Sequence, residues 1–253
     1  HVRSRRQRQM CIRDRIYTTC YHTMRAKSEQ YYRRFPGDRD RMRAVLDLAA
    51  SGELRTPNGD PVGPSRVRSL GHLLGGSGGA EKLHYLLEYE PTNRCFRYDL
   101  ADLLPFGGRN VLYTVIHESS YADGVTTNWA AARCLPQAFH DDPTLLTGEH
   151  VMPEWFDEDS SLQPWKDAAQ IIAEHPWPTL YDADALAASQ VPCAAAIYHD
   201  DAYVPREYSL QTAALLPGMH PWVTSQYEHN GSNASGGGVL DRLIKLVHGD
   251  IVR

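Results

Sequence analysis

The sequence of 253 residues lacks a long apolar run, a paired cysteine motif and a metal-binding histidine motif. No stretch approaches the roughly 18 apolar residues that a membrane-spanning helix needs, so we expect no membrane span. The five cysteines are odd in number and irregularly spaced, which favours a reducing cytoplasm over a disulfide framework or a CxxC metal pair. The twelve histidines show no HxH or HExxH spacing, so we expect no metal ion.

Positive charge is scarce outside the N-terminus. Residues 1–15 hold six arginines and one aspartate, whereas the other 238 residues carry 20 basic and 30 acidic side chains. A body this acidic has no general affinity for phosphate backbones, so we expect no nucleic-acid partner. We interpret residues 1–15 as a non-native or disordered basic arm, with native sequence beginning near Ile16. The alternative is a nucleic-acid-binding arm, whose salt-dependent binding would disappear on deletion of residues 1–15.

Helical periodicity dominates the chain up to about residue 185. Apolar residues recur at helical spacing in most segments, and two helices flank the glycine-rich sequence GGSGG at 75–79. The spacing predicts helices over residues 23–34, 40–51, 127–139 and 162–174, among others. These segments predict a helical cap region over residues 16–185.

The pattern changes in the last quarter of the chain. Residues 191–198 form a continuous apolar run, typical of a buried parallel strand, and a second strand-like run covers residues 219–225. A helix is predicted after each run, and the final helix is amphipathic. This strand–helix–strand–helix order is the end of an α/β sheet, so residues 186–253 are predicted to be the C-terminal part of a truncated α/β core.

Polar residues follow both predicted strands. Asp201 comes after the first strand, and His229 comes after the second, 28 residues later. Because neighbouring parallel strands end at one edge of a sheet, we expect these two side chains to face each other, with the carboxylate orienting the imidazole for general-base catalysis. The α/β-hydrolase order of a catalytic triad is Ser, Asp, His, and this pair fits its last two members. Asp200 is a competing acid.

One serine matches a nucleophile motif. Ser77 stands at the centre of GGSGG, which satisfies G-x-S-x-G and precedes Asp201 and His229 in the chain. A nucleophile elbow must follow a buried strand, whereas the apolar residues before GGSGG lie at helical spacing. The glycines more simply end one helix and start the next. We therefore interpret Ser77 as a coincidental match and expect the nucleophile outside this chain.

Six segments from about Arg25 to Leu246 together resemble the bacterial proline iminopeptidases, or prolyl aminopeptidases: YYRRFPGDRDRMRAVLDLA, SLGHLLGGSGGAEKLHYLLE, TNWAAARCLPQAF, LLTGEH, VPCAAAIYHDDAYV and WVTSQYEHNG. The resemblance implies an α/β-hydrolase-fold serine peptidase with a helical cap that releases N-terminal proline from peptides without a cofactor. It also implies that Asp201 in DDAYV is the triad aspartate and that His229 in YEHNG is the triad histidine.

Recognition of an N-terminal proline requires a charge partner for the protonated amine and apolar walls for the ring. The resemblance implies that glutamates of the cap region supply the charge. Glu118 in IHESSY is the first candidate for this substrate-binding role, and Glu149 in TGEH is the second. An alternative keeps the fold but changes the substrate to another ester, amide or epoxide, since caps vary freely on one catalytic core.

Overall fold

A long first helix organises the N-terminal half of the chain. The structure, a computed structural model, describes residues 2–252, with side chains from Asp14 onward. Helix α1 (Val2–Arg34) buries Tyr17, Tyr21 and Met24 along one face, at helical spacing. The sequence predicted this helix only from residue 23. The side chains of the basic arm before Asp14 lie outside the described part, so the arm's origin stays a prediction.

Short helices continue the helical block, the name we give to residues 2–188. They are α2 (Asp38–Ala50), α3 (Pro64–Arg68), α4 (Gly79–Leu87), α5 (Arg94–Leu103), α6 (Val111–Ile116), α7 (Ala130–Arg133), α8 (Gln137–Asp141), α9 (Trp155–Glu158), α10 (Lys166–Glu174) and α11 (Ala183–Ala188). A 3-10 segment, Ser69–Gly75, follows α3. The predicted helix over 127–139 was wrong, because Pro136 separates α7 from α8. Proline disfavours a helical residue before it and lacks a backbone donor.

Large aromatic side chains form the core of the helical block. Tyr17, Phe96, Phe139, Trp155 and Phe156 are almost completely buried in one apolar cluster. Burying each such side chain stabilises the fold by roughly 1.5–3 kcal/mol. The cluster also includes residues 202–203, so the core of the helical block extends to the C-terminal part of the chain.

The sheet unit has two strands in the described part of the chain. β1 (Cys193–Tyr198) and β2 (Met219–Thr224) are parallel, in register from Cys193 opposite Met219 to Tyr198 opposite Thr224. Helix α12 (Arg206–Leu215) connects them, and α13 (Gly231–Ala234) and α14 (Gly238–His248) follow β2, with α14 packed on β1. The predicted strand–helix–strand–helix order is confirmed. This mixture of helices and a small parallel sheet is compatible with a truncated α/β fragment.

The final helix keeps much of its apolar face in solvent. Val239 and Leu246 are buried, but Leu240 is 60% exposed and Ile244 is 47% exposed. Two strands offer too little area to cover the face that the amphipathic pattern predicted. No helix within residues 2–252 combines the length and the hydropathy that crossing a bilayer requires.

Candidate active site

The loop after β1, residues 199–205, which we call the acid loop, fixes the carboxylate of Asp201. Asp201 is buried, and its Oδ1 accepts hydrogen bonds from the backbone N–H groups of Tyr203 at 2.9 Å and Val204 at 3.0 Å. Such a turn, in which an aspartate side chain bonds its own backbone, sets the direction of the carboxylate. The second oxygen, Oδ2, remains available for a partner.

That partner is His229, in the loop after β2. Its Nδ1 lies 2.9 Å from Oδ2 of Asp201. Because a carboxylate only accepts, Nδ1 carries the proton, and Nε2 is left with its lone pair. The hydrogen bond that His229 donates to Asp201, together with the charges of Asp201 and Glu149, raises the pKa of His229 above its ordinary value, although partial burial opposes this. The competing Asp200 is exposed and instead contacts His199 at 2.9 Å.

The loop after β2, residues 225–230, which we call the histidine loop, is bonded to the GGSGG segment. The backbone N–H of His229 donates to the carbonyl of Gly75 at 3.1 Å, and the N–H of Ser77 donates to Oδ1 of Asn230 at 3.0 Å. A side chain at Gly75 would overlap the hydroxyl of Tyr203, so the close approach needs glycine here. The GGSGG segment thus forms one wall of the site.

A cavity of about 280 Å³ opens beside His229, lined also by Glu149, Tyr203, His72 and the GGSGG segment. The ring of Tyr203 meets the imidazole of His229 edge-on, with centroids 5.1 Å apart, and stacks on the ring of His72 at the same distance. The pocket therefore combines a base, a carboxylate and aromatic walls. Among the residues that the structure describes, no group of three or more metal-ligating side chains converges.

The two candidate glutamates lie in different surroundings. Glu149 lines the pocket, where its Oε1 accepts a hydrogen bond from the hydroxyl of Tyr113 at 3.0 Å and burial raises its pKa. Glu118 is buried, and its carboxylate accepts hydrogen bonds from the backbone N–H groups of Ala130 at 3.1 Å and Ala131 at 2.9 Å. The second-ranked candidate thus faces the cavity, whereas the first-ranked one caps α7. Substrate binding by either glutamate stays a prediction.

Sequence reasoning missed Tyr203 and His72, whose rings form the aromatic walls of the pocket. Tyr203 stands two positions after the acid, and that place in DDAYV is a signal that could have found it. His72 carried no signal, because it lies inside a segment of helical spacing; burial lowers its pKa to about 4. Ser77 lies on the pocket wall, but within the described part of the chain no hydrogen bond joins its hydroxyl to His229.

An aspartate–histidine pair at the carboxyl ends of two parallel strands, beside an open pocket, is typical of hydrolases that use histidine as a general base. No family model matches the chain. A protein named proline iminopeptidase from Aeromonas sobria is 34% identical over 244 residues, which cover 92% of this chain and 57% of that relative. Proline iminopeptidase aneH from Aspergillus aculeatus is 24% identical over 237 residues, 87% of this chain and 52% of the relative.

The chain spans about half the length of the curated relatives it matches. Over nearly all of its own length it is a homologue of proteins named proline iminopeptidase, and the resemblance identified from its segments is confirmed.

Proposed function

We propose that the chain is the acid–histidine part of a prolyl aminopeptidase, a serine peptidase of α/β-hydrolase fold that releases N-terminal proline from peptides. The observation that carries the proposal is the 2.9 Å contact between Asp201 and His229 at the edge of the sheet. The names of the curated relatives support the activity. The cytoplasm is the compartment we propose, on the irregular cysteine spacing.

In the whole protein, the hydroxyl oxygen of a serine attacks the carbonyl carbon of the N-terminal proline. Nε2 of His229 takes the hydroxyl proton, and Asp201 keeps the imidazole in the required tautomer and stabilises its charge. His229 then gives the proton to the leaving amine, the peptide bond breaks, and a prolyl ester forms. Water, deprotonated by His229, hydrolyses the ester and restores the serine. We propose that this serine belongs to the part of the relatives' length that the chain does not span.

Glu149 is the residue that we propose to pair with the protonated amine of the substrate. Its carboxylate lies in the same cavity as His229, and the rings of Tyr203 and His72 provide apolar surface for the pyrrolidine ring. A charge-assisted hydrogen bond of this kind is roughly twice as strong as a neutral one. Acetylation of the proline nitrogen removes the charge, so an acetylated peptide would not be recognised.

Binding of small ligands to the 253-residue chain tests this recognition. Prolinamide is expected to perturb the NMR signals of His229, whereas N-acetylprolinamide at the same concentration is not. Glu149→Gln should weaken prolinamide binding, and Glu154→Gln, at an exposed position, should leave it unchanged. Equal binding of the two ligands, or an unaffected Glu149→Gln variant, would contradict the role of Glu149.

Hydrolysis of an L-prolyl arylamide tests the origin of the nucleophile. The purified chain is expected to show no turnover. Ser77 is the second candidate, since it lies on the wall of the pocket that His229 lines. Turnover by the chain that disappears in the Ser77→Ala variant would assign the nucleophile to Ser77 and refute the proposal that it lies elsewhere.

A further inference from the structure

A poorly exposed ion pair joins the histidine loop to α1. Nζ of Lys27 lies 2.7 Å from Oε2 of Glu228, and the side chains are 8% and 35% exposed. A lysine is almost never buried without a partner, because desolvating its ammonium group is costly. Among the described residues, Glu228 is the ion-pair partner of Lys27. The ion pair between Lys27 and Glu228 therefore forms only when the histidine loop lies against α1.

The same helix also reaches the acid loop. Sγ of Cys20 lies 3.5 Å from the carbonyl oxygen of Tyr203, two residues after Asp201. Cys20 and Lys27 are seven residues apart, which places them on one face of α1, two turns from each other. One face of α1 thus contacts both loops that carry the acid and the base.

Glu228 directly precedes His229, so a shift of its side-chain anchor moves the backbone that carries the imidazole. The contact between His229 and Asp201 is 2.9 Å long, and N–H···O hydrogen bonds in proteins are about 2.7–3.2 Å long, so a small shift of the ring lengthens this bond beyond its range. The bonds to Gly75 and Ser77 hold the loop from its other side. Without the ion pair between Lys27 and Glu228, the histidine loop is held on one side only. The imidazole of His229 can then move beyond hydrogen-bond distance of Asp201.

We infer that Lys27 is a positioning residue, whose ammonium group acts through Glu228 to keep the imidazole of His229 in contact with Asp201. The importance of this contact for catalysis rests on the proposed function. The positioning itself does not, because it is a property of the folded chain.

The direction in which the pKa of His229 changes when Lys27 is replaced distinguishes a positioning role from a purely electrostatic one. The charged or titratable groups that face the imidazole are Asp201, Glu149, His72 and Tyr203. Tyr198 lies edge-on to the ring, Lys82 lines the same pocket, and Glu228 is next in sequence. If the loop stayed in place, removing the positive charge of Lys27 would raise the pKa of His229. If the loop is released, the hydrogen bond to Asp201 weakens and the pKa falls, because that bond is the main cause of the raised value.

The test is an NMR titration of the His229 imidazole in the 253-residue chain. Lys27→Met is expected to lower the titration midpoint toward about 6.5, the ordinary value of an imidazole. Lys27→Arg should restore the wild-type midpoint, since it keeps a charged donor for Glu228. Arg25→Met is the matched control: Arg25 lies on the same helix and pairs with Glu29 in solvent, so the midpoint should not change.

A midpoint that is unchanged or higher in Lys27→Met would overturn the inference. A thermal melt recorded by circular dichroism shows whether each variant is folded at the titration temperature. If Lys27→Met does not fold, Lys27→Gln, which keeps a neutral donor, should give a smaller fall, and an unchanged or higher midpoint there would overturn it equally. Failure of the proposed function is distinguishable, because it would abolish prolinamide binding and leave these midpoints as expected.

Discussion

His117 lies behind the pocket and is held in its neutral form. The side chain is 1% exposed, and its Nε2 donates to the carbonyl of Glu149 at 3.0 Å. In the described part of the structure, its Nδ1 is buried without a hydrogen-bond partner. Burial disfavours the charged form and lowers the pKa of His117 from 6.5 to about 4. Acid conditions should therefore destabilise the chain at this residue.

The size of the effect follows from linkage between proton binding and folding. The unfolded chain binds a proton at this histidine below pH 6.5, whereas the folded chain does so only below about pH 4. The stabilising contribution is complete above pH 6.5, decreases as the pH falls and is lost at about pH 4. A difference of roughly 2.5 units at about 1.36 kcal/mol per unit amounts to about 3 kcal/mol. That is a large part of the roughly 5–15 kcal/mol by which domains are stable.

Urea unfolding between about pH 7 and pH 4 measures this contribution. His117→Gln keeps an amide donor for the carbonyl of Glu149 but cannot be protonated, so its free energy of unfolding should fall by about 3 kcal/mol less than that of the wild type over this interval. His22→Gln, at an exposed position of α1, controls for the loss of a histidine. Parallel pH dependences for the wild type and His117→Gln would refute the reasoning.

Three further changes test the site and its supports. Gly75→Ala should lower the melting temperature more than Gly76→Ala, because an added methyl group overlaps a buried tyrosine hydroxyl at the first position and finds ordinary contacts at the second; equal losses would contradict the close packing. Glu118→Gln should cost about 1–3 kcal/mol in urea unfolding, since one of two buried backbone donors loses its acceptor; an unchanged stability would argue against this capping role. Asp201→Asn should lower the pKa of His229, seen by NMR titration, and an unchanged value would mean that the hydrogen bond does not control it.

The nearness of Asp201 and His229 could be predicted because chain topology brings the loops that carry them to one edge of the sheet. The loops that follow neighbouring parallel strands begin at one edge of the sheet whatever the rest of the fold does. The two apolar runs were long enough to identify as strands, and β1 and β2 begin and end within two residues of those runs. The approach of the two loops could therefore be predicted without the helical block, whereas the bonds from that block to the histidine loop could not.

The ranking of Glu118 and Glu149 could not be predicted in the same way. A sequence displays the carboxylates, but not the backbone N–H groups that they meet. The carboxylate of Glu118 accepts hydrogen bonds from the first backbone N–H groups of α7. This helix begins after Trp129, whose backbone is left-handed with φ of 54°. No local pattern indicated that turn. Long-range packing decides which acid faces the cavity.

The start of α1 was misjudged for a different reason. Tyr17, Tyr21 and Met24 follow helical spacing, but their signal adjoins the arginine-rich residues 1–15, which were set aside as non-native. Because residues 1–15 were excluded on their composition, the apolar stripe that follows them was not recognised as part of a helix. Packing of these residues against the rest of the helical block determines the helix there.

The three consecutive residues Glu228, His229 and Asn230 are each bonded to the helical block. If the helical block moved as a rigid body, these bonds would pull His229 away from Asp201. A ligand would therefore enter and leave through the open side of the cavity while the helical block stays in place. A hydrogen bond between Asp201 and His229 that is held in this way would stay intact while ligands exchange.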